Sequence, residues 1–378
     1  MAAPNDDRYV FITEWFDTQA SLVRTYNLTY YAVDNTVEMY DLKNKKLFLK
    51  RCECPGISLK DLFIGAVITI YSRQLKIVDY ADTFTKGKFE VKRGRTFAMI
   101  KPDAYTSIGK IIDIIEQSGF VIGNLKMAKL TLGDAQEFYA EHKGKPFFTE
   151  LTNFICSDFV VGLELVAEDC ISRWRSLIGP TNCQVARVEA PNSIRALFGT
   201  EGVRNAVHGS DSSGSALREI EFFFGEKSKL KPTAFFTNCT CAIIKPHIIS
   251  ELKAGKVINN ILNEGFEISA MQMFFLDRAS SEEFFEVYRG VLPEFSGMAD
   301  HLTSGPCIAM EVRQEEAVKS FREVCGPHDP EIGKVLRPNT IRAKFGYDRI
   351  KNAIHCTDLP EDGVLEVEYF FNILQQKQ

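Results

Sequence analysis

His208 stands in the run Asn205-Ala-Val-His208-Gly-Ser210-Asp211, in a chain with only six histidines. Lys101, Arg175, Arg195 and Arg204 are cations near conspicuous motifs, and Thr181, Asn205 and Ser210 add hydrogen-bonding groups. Glu219 follows His208 by eleven residues. If the strand carrying His208 turns into a helix beginning at Ser213, Glu219 folds back onto the imidazole. A carboxylate bonded to one ring nitrogen fixes the tautomer and leaves the other nitrogen free to attack. Fixed cations would clamp a polyphosphate and offset its charge during transfer. The chemistry of such a set is phosphoryl transfer through a histidine; the bland alternative is a histidine satisfied within the fold.

The same frame occurs twice. Asn192-Ser-Ile-Arg-Ala-Leu-Phe-Gly199 recurs as Asn339-Thr-Ile-Arg-Ala-Lys-Phe-Gly346, and Asn205-Ala-Val-His208 as Asn352-Ala-Ile-His355, both at an offset of 147. Arg175 maps to Arg322 and Glu219 to Glu366, while Ala98-Met-Ile-Lys-Pro102 recurs as Ala242-Ile-Ile-Lys-Pro246 at 144. Two related domains of about 130 to 140 residues are expected, a free-standing size rather than a solenoid unit.

Each repeat must position these groups on alternating strands and helices. Thr96–Ile100 reads as a buried strand ending at Lys101-Pro102, and Ile108, Ile111, Ile112, Ile114 and Ile115 form a helical stripe that stops at Gly119. Val121–Leu130 and Phe159–Val166 read as strands, and Ser213–Phe224 as a closing helix with Ala216, Ile220 and Phe223-Phe224 inward. An α+β, ferredoxin-like sheet is expected. The first ~90 residues belong to neither repeat and read as a β-rich module, PH-like or a sandwich. Its strands are Leu28–Val33, Thr36–Leu42, Leu47–Arg51, Val67–Ser72 and Leu75–Tyr80. Asp82–Gly94 and Gly225–Pro232 read as linkers, the lysines Lys227, Lys229 and Lys231 as solvated. The expected division is 1–90, 91–225 and 238–373.

Composition sets limits. The 378 residues are 45% hydrophobic and 25% charged, an ordinary globular profile. A net charge of −5 argues against non-specific binding to a nucleic-acid backbone. The longest apolar run, Phe63–Tyr71, is about half a membrane span. Met1–Arg8 carries Asp6 and Asp7 and no apolar stretch, so no secretory signal is expected there. The ten cysteines include C-x-C but no zinc-type C-x-x-C pairs; reduced, buried thiols are expected and no metal site. Trp15 and Trp174 read as core or partner anchors, His142 and His301 as surface or packing residues, and Cys356 as buried.

Asn205-Ala-Val-His208-Gly-Ser-Asp211 resembles the N-x-x-H-G-S-D signature of the nucleoside diphosphate kinase family. Lys101-Pro-Asp103, Pro146-Phe-Phe148, Gly179-Pro-Thr181-Asn182 and Ser193-Ile-Arg195 follow in family order. The likeness covers about 90–225 well and 238–373 more loosely, and the whole resembles the long, two-repeat members. Their N-terminal module resembles the DM10 domain, found in proteins of ciliary and axonemal microtubules. The resemblance implies ping-pong transfer from a nucleoside triphosphate to a diphosphate, with His208 as nucleophile oriented by Glu219 and Ser210. It implies that Lys101 and Tyr139 reach the phosphates and that Arg175, Thr181 and Arg195 bind the distal ones. Asn205 and Lys101 would meet the sugar hydroxyl, and Phe147 would stack on any base. Mg2+ would ride on the phosphates of ATP or GTP.

Two departures matter. Thr181 and Arg195 are fourteen apart, three more than in common members, which bears on turnover. The second repeat keeps Lys245, Arg322, Arg342, Asn352, His355 and Glu366, but has His247 for Asp103, His328 for Thr181, Cys356-Thr357 for Gly209-Ser210, and Glu294 for Phe147. Tyr139 falls opposite Phe285 or Glu286. A weak or inactive second site is expected, its domain packing against the first. The rival to enzymatic function is a structural component of axonemal microtubules; a third class is 3′–5′ nuclease action on single-stranded DNA. Expected partners are nucleotides and tubulin or microtubule-associated proteins, with no membrane and no specific nucleic acid. The expected location is cytoplasm and cytoskeleton, at cilia, axonemes and centrosomes.

Overall fold

Alternating burial along Arg8–Asp17, with Tyr9, Phe11 and Thr13 inward, marks a half-buried strand at the start of the computed structural model, which describes residues 8–17, 20–89 and 94–377. Met1–Asp7 and residues 90–93, on which the leader reading and part of the first linker fall, lie outside the described residues. The N-terminal strands are β1 (Arg8–Asp17), β2 (Leu22–Tyr31), β3 (Thr36–Asp41), β4 (Lys46–Glu53), β5 (Val67–Ile70) and β6 (Arg73–Tyr80). They form one antiparallel sheet in the order β4-β3-β2-β1-β6-β5. The expected linker Asp82–Gly94 is instead largely helical. α1 (Thr83–Phe89) forms there because Phe89 packs on Tyr9 and Phe11 at 4.9 and 5.4 Å between ring centroids. Thr85 also accepts a bond from Val10 N at 2.8 Å.

The first repeat runs β7 (Gly94–Ile100), α2 (Ile108–Gln117), β8 (Val121–Ala128), α3 (Leu132–Phe138), α4 (Phe148–Ile155), β9 (Val160–Ala167), α5 (Cys170–Ile178), α6 (Cys183–Glu189), α7 (Ile194–Phe198), β10 (Val207–Gly209) and α8 (Ser213–Phe224). The second runs β11 (Cys239–Ile244), α9 (Pro246–Ser250), α10 (Ala254–Asn263), β12 (Glu267–Phe274), α11 (Arg278–Phe284), α12 (Phe295–Leu302), β13 (Cys307–Arg313), α13 (Ala317–Cys325), α14 (Pro330–Leu336), α15 (Ile341–Phe345), β14 (Ile354–Cys356) and α16 (Gly363–Glu368). Two compact units result. One holds the N-terminal module and residues 275–306; the other holds 94–274 and 307–378. In the first, the Gln74 side-chain amide donates to Leu276 O, fastening the α11–α12 segment to the module.

The second unit is built on one eight-stranded antiparallel sheet, β10-β7-β9-β8-β12-β13-β11-β14. Each half has the ferredoxin-like strand order, and the halves join where β8 pairs with β12, Lys126 opposite Gln272. Beside that seam α2 crosses α10 closely. A Cβ on Gly109 would lie 2.3 Å from Asn259 N, and one on Gly255 2.2 Å from Asp113 N. Only glycine allows backbones this near. Glu116 of α2 accepts from Ala254 N and Gly255 N at 3.1 and 2.9 Å, meeting the open N–H groups of α10. Gly225–Pro232 is irregular, with its lysines exposed, but Leu230 is buried in the core around Phe97 and Phe223 and its carbonyl accepts from Lys126 Nζ.

Candidate active site in the first repeat

His208 lies on β10, paired with Met99 of β7, two residues beyond Ala206 in left-handed backbone (φ 65°). A non-glycine residue there is strained, and strain of this kind clusters at sites that need a fixed geometry. Two bonds hold it: Lys101 N donates to Ala206 O at 2.8 Å, and Ala206 N donates to Asp103 Oδ2 at 3.0 Å. Gly209 is required next, since a Cβ would stand 2.4 Å from Trp174 Nε1 of α5.

α8 begins with Ser212 accepting from Ser215 N, and it carries Glu219 back to the strand. Glu219 Oε1 is 3.1 Å from His208 Nε2, and Oε2 accepts from Ser210 Oγ at 2.6 Å. The carboxylate is thus oriented by the serine and in turn orients the ring. Nε2 carries the proton in this arrangement, and Nδ1 has no hydrogen-bond partner among the described residues.

The ring faces a cleft of about 500 Å³ lined by Lys101, Tyr139, Phe147, Arg175, Thr181, Arg195, Asn205, His208 and Glu219. Ser210 is buried behind Glu219. Of the cations singled out by sequence, Arg204 does not line the cleft; it stacks on Phe154 at 4.7 Å. Arg195 Nη1 donates to Gly179 O at 2.9 Å and Nη2 to Val207 O at 3.2 Å, with Thr181 Oγ1 at 3.5 Å. Burial pushes its guanidinium down to about 10. Arg175 is exposed, and its side chain makes no hydrogen bond among the described residues. Tyr139 is buried, with its hydroxyl unpartnered and its ionisation pushed far up by burial. It therefore remains a neutral donor with no protein acceptor. Phe147 is 41% exposed, a ring face at the cleft's edge.

His142, read from sequence as surface or packing, lines the cleft too. It stacks on Tyr139 at 5.9 Å, meets Phe147 edge-on at 5.6 Å, and has Lys145 Nζ 3.2 Å from Nδ1. The usable signal was its place midway between Tyr139 and Phe147.

Lys101 Nζ donates to Asn205 Oδ1 at 2.7 Å and to Val203 O at 3.0 Å. Burial, then Arg195, pushes it down to about 7. An anion bound beside it favours the charged form, so binding takes up a proton once the pH exceeds about 7. Nucleotide affinity should therefore fall as pH rises from 7 towards 9. Calorimetry in two buffers of different ionisation enthalpy should show proton uptake at pH 8, reduced in Lys101→Arg; equal heats at pH 8 for the intact protein would remove Lys101 as the source.

The second repeat reproduces the dyad. His355 Nε2 is 2.8 Å from Glu366 Oε2, and Thr357 Oγ1 donates to the same oxygen at 2.8 Å. Its surroundings differ. Arg322 is paired with Asp358, and the His355 side chain is 6% exposed against 16% for His208. Lys245 is buried on Ile350 O, and Arg342 donates to Gly326 O and Ile354 O. His247 is pushed down to about 4 by burial, then by Lys245, and so is neutral at pH 7. Phe285 caps α11 as Tyr139 caps α3, resolving the counterpart of Tyr139 as a phenylalanine; Glu294 caps α12 as Phe147 caps α4.

A family model described as nucleoside diphosphate kinase matches residues 94–229 and 238–375. The chain belongs to the nucleoside diphosphate kinase family. A model described as the N-terminal PH domain of nucleoside diphosphate kinase 7 matches residues 3–91. The chain is similar to nucleoside diphosphate kinase homolog 7 of Rattus norvegicus, 51% identical over 97% of this chain and 94% of that protein. It is similar to the Mus musculus protein of the same name, 51% identical over 99% of this chain and 95% of that protein. Nucleoside diphosphate kinase of Aquifex aeolicus is 50% identical over 34% of this chain and 93% of its own length. Family membership supports nucleotide phosphotransfer as the general activity and nucleotides as substrates. The N-terminal module is accordingly PH-like, and the two repeats have the family's ferredoxin-like fold.

Proposed function

We propose that the first repeat transfers the γ-phosphoryl group of a nucleoside triphosphate to a diphosphate through a phosphohistidine at His208. The observation that carries this reading is the His208–Glu219–Ser210 chain, which leaves Nδ1 open beside Lys101, Arg175, Arg195 and an unpartnered Tyr139 hydroxyl. Nδ1 attacks the γ-phosphorus, an N–P bond forms and the bridging P–O bond breaks, releasing the diphosphate. Glu219 holds the Nε2 proton and offsets the positive charge gained by the ring. The three cations take up phosphate charge, and Phe147 and His142 flank the base side. A bound diphosphate then attacks the phosphohistidine and restores Nδ1.

The family is in general magnesium-dependent. The cleft's cations suit phosphate oxygens, and no three His, Cys, Asp or Glu among the described residues converge on a metal site. This donor set fits a metal carried on the nucleotide, where it would neutralise phosphate charge. Asp211 lines the cleft and is held below the usual carboxylate range by Ser215 and Ser212; it is the carboxylate placed to meet the metal's water shell.

The direct test is incubation with ATP labelled on the γ-phosphate. Acid-labile label should form and pass to added GDP; label that forms but does not pass would restrict the site to self-phosphorylation. Glu219→Ala should slow labelling by about 10²-fold, the usual scale for an oriented acid–base partner. An unchanged labelling rate would remove Glu219 from the reaction.

A cytoskeletal placement at cilia and centrosomes, with tubulin or its associated proteins as partners, is the complementary proposal, supported by the PH-like N-terminal module, which belongs to neither repeat. The closed second site, its Arg322 held by Asp358, favours a structural role for that repeat. Removing residues 1–90 from a tagged chain should disperse it in ciliated cells while sparing nucleotide transfer; unchanged placement would take targeting away from the module.

A further inference from the structure

Glu219 has a charged neighbour besides His208. Arg218, one residue earlier on α8, places Nη2 3.8 Å from Glu219 Oε1, the oxygen that meets His208 Nε2. The same Nη2 lies 3.2 Å from Oε2 of Glu141, a carboxylate that lines the cleft. Arg218 does not line the cleft. It borders a separate recess of about 280 Å³, which shares Glu219 with the cleft. This arginine therefore stands outside the space for the nucleotide and against the carboxylate that serves the histidine.

Two observations separate its effect from support of the fold. Ser210 Oγ already holds Glu219 Oε2 at 2.6 Å, and Glu219 is buried, so the carboxylate keeps its place without an arginine. The side chains of Arg218 and Glu141 are 45% and 36% exposed, and ion pairs at such exposure add little to stability. The second repeat agrees. It keeps Lys245, Arg322 and Arg342 as counterparts of Lys101, Arg175 and Arg195, and it keeps the dyad of His355 and Glu366 with Thr357. Yet Leu365 stands there for Arg218 and Val287 for Glu141, both exposed. The fold closes without this pair. What the pair adds in the first repeat is charge beside Glu219.

We propose that Arg218 is a positioning residue acting through Glu219: its charge makes the phosphohistidine less stable and so favours transfer onward to the diphosphate. This inference rests on the phosphohistidine at His208. With phosphate on Nδ1 and a proton on Nε2, the ring is positive, and Glu219 offsets that charge. A guanidinium beside the same carboxylate oxygen weakens the offset. In the return step a terminal oxygen of the diphosphate bonds to phosphorus, the N–P bond breaks, and its electron pair returns to Nδ1. The Nε2 proton stays, the ring becomes neutral, and its repulsion from Arg218 ends. Glu141 takes part of the guanidinium's charge, which keeps the effect moderate.

The test brings the full chain to equilibrium with equal concentrations of ADP and of ATP labelled on the γ-phosphate. The ratio of acid-labile label to unlabelled chain is read for the intact protein, Arg218→Met and Arg218→Lys. Arg218→Met should raise that ratio about three-fold, the scale of an exposed charge pair. Arg218→Lys keeps the charge and should stay closer to the intact chain than to Arg218→Met. Damage to the fold would lower labelling instead, and urea midpoints of the three chains should coincide. An unchanged or lower ratio in Arg218→Met, with label present in the intact chain, would overturn the role of Arg218 alone. Absence of label from all three chains would overturn the reading at His208, and this inference with it.

Discussion

His208→Asn is expected to abolish both the acid-labile label and transfer to GDP while leaving the fold intact. Asparagine can keep a hydrogen bond to Glu219 but has no ring nitrogen to carry phosphate. The ring's other contacts are to Phe97, Phe138 and Tyr139, at 6.2, 5.4 and 5.6 Å between centroids, so loss of packing is modest. A loss of about three orders of magnitude or more, ~4 kcal/mol in barrier, is the scale for removing a covalent nucleophile. His355→Asn run alongside should change transfer little, because Arg322 is tied to Asp358 and Phe285 has no hydroxyl. Turnover near the intact rate in His208→Asn would end the assignment, and an equal loss in both variants would make the second repeat active.

Gly109→Val is expected to be the most damaging change outside the site. Its side chain would begin 2.3 Å from the backbone of α10, where no rotamer change gives relief. The helices must separate, which strains the β8–β12 seam and pulls Glu116 from the N–H groups it satisfies. Overpacking of this kind costs about 3 kcal/mol, and more where backbone rather than side chain must yield. Gly214→Ala is the control: it has open space around it and lies in the first turn of α8, so a change within about 0.5 kcal/mol is expected. Urea midpoints of the two variants check this, and similar midpoints would show that the helix crossing is not tight.

The residues around His208 were legible because their chemistry is local to short motifs and part of that frame, Lys101, Arg175, Arg195, Asn205, His208 and Glu219, recurs in the second repeat. Strand and helix periodicity placed the sheet, and α8 runs over the span its apolar spacing marks. What was not legible depends on contacts made at long range. α1 sits in a polar, glycine-containing stretch whose helical state rests on Phe89 meeting β1. β1 is an exception, since its apolar-rich run alternates its burial as a strand should and follows Pro4-Asn5-Asp6-Asp7 in the sequence. His142 looks like any charged-loop histidine until the hairpin folds it over Tyr139. Glu116 reads as one more exposed helical carboxylate, and only the crossing of α10 buries it. Burial pushes it up to about 7, so its cost to stability grows as pH rises from 4.5 to 7.

The join at β8 and β12 has a further consequence. Two halves tied in one chain meet at a fixed effective concentration, so their association does not weaken on dilution as that of separate subunits does. Inheritance changes as well. In an assembly of identical chains every substitution appears in all copies at once, and a change that harms a site harms them all. Here Glu116 has Leu262 as its counterpart and Gly209 has Cys356, so each half carries residues the other never had to tolerate. Covalent linkage turns a symmetric pair into two separately selectable surfaces, one free to keep its chemistry while the other is reshaped for a different task.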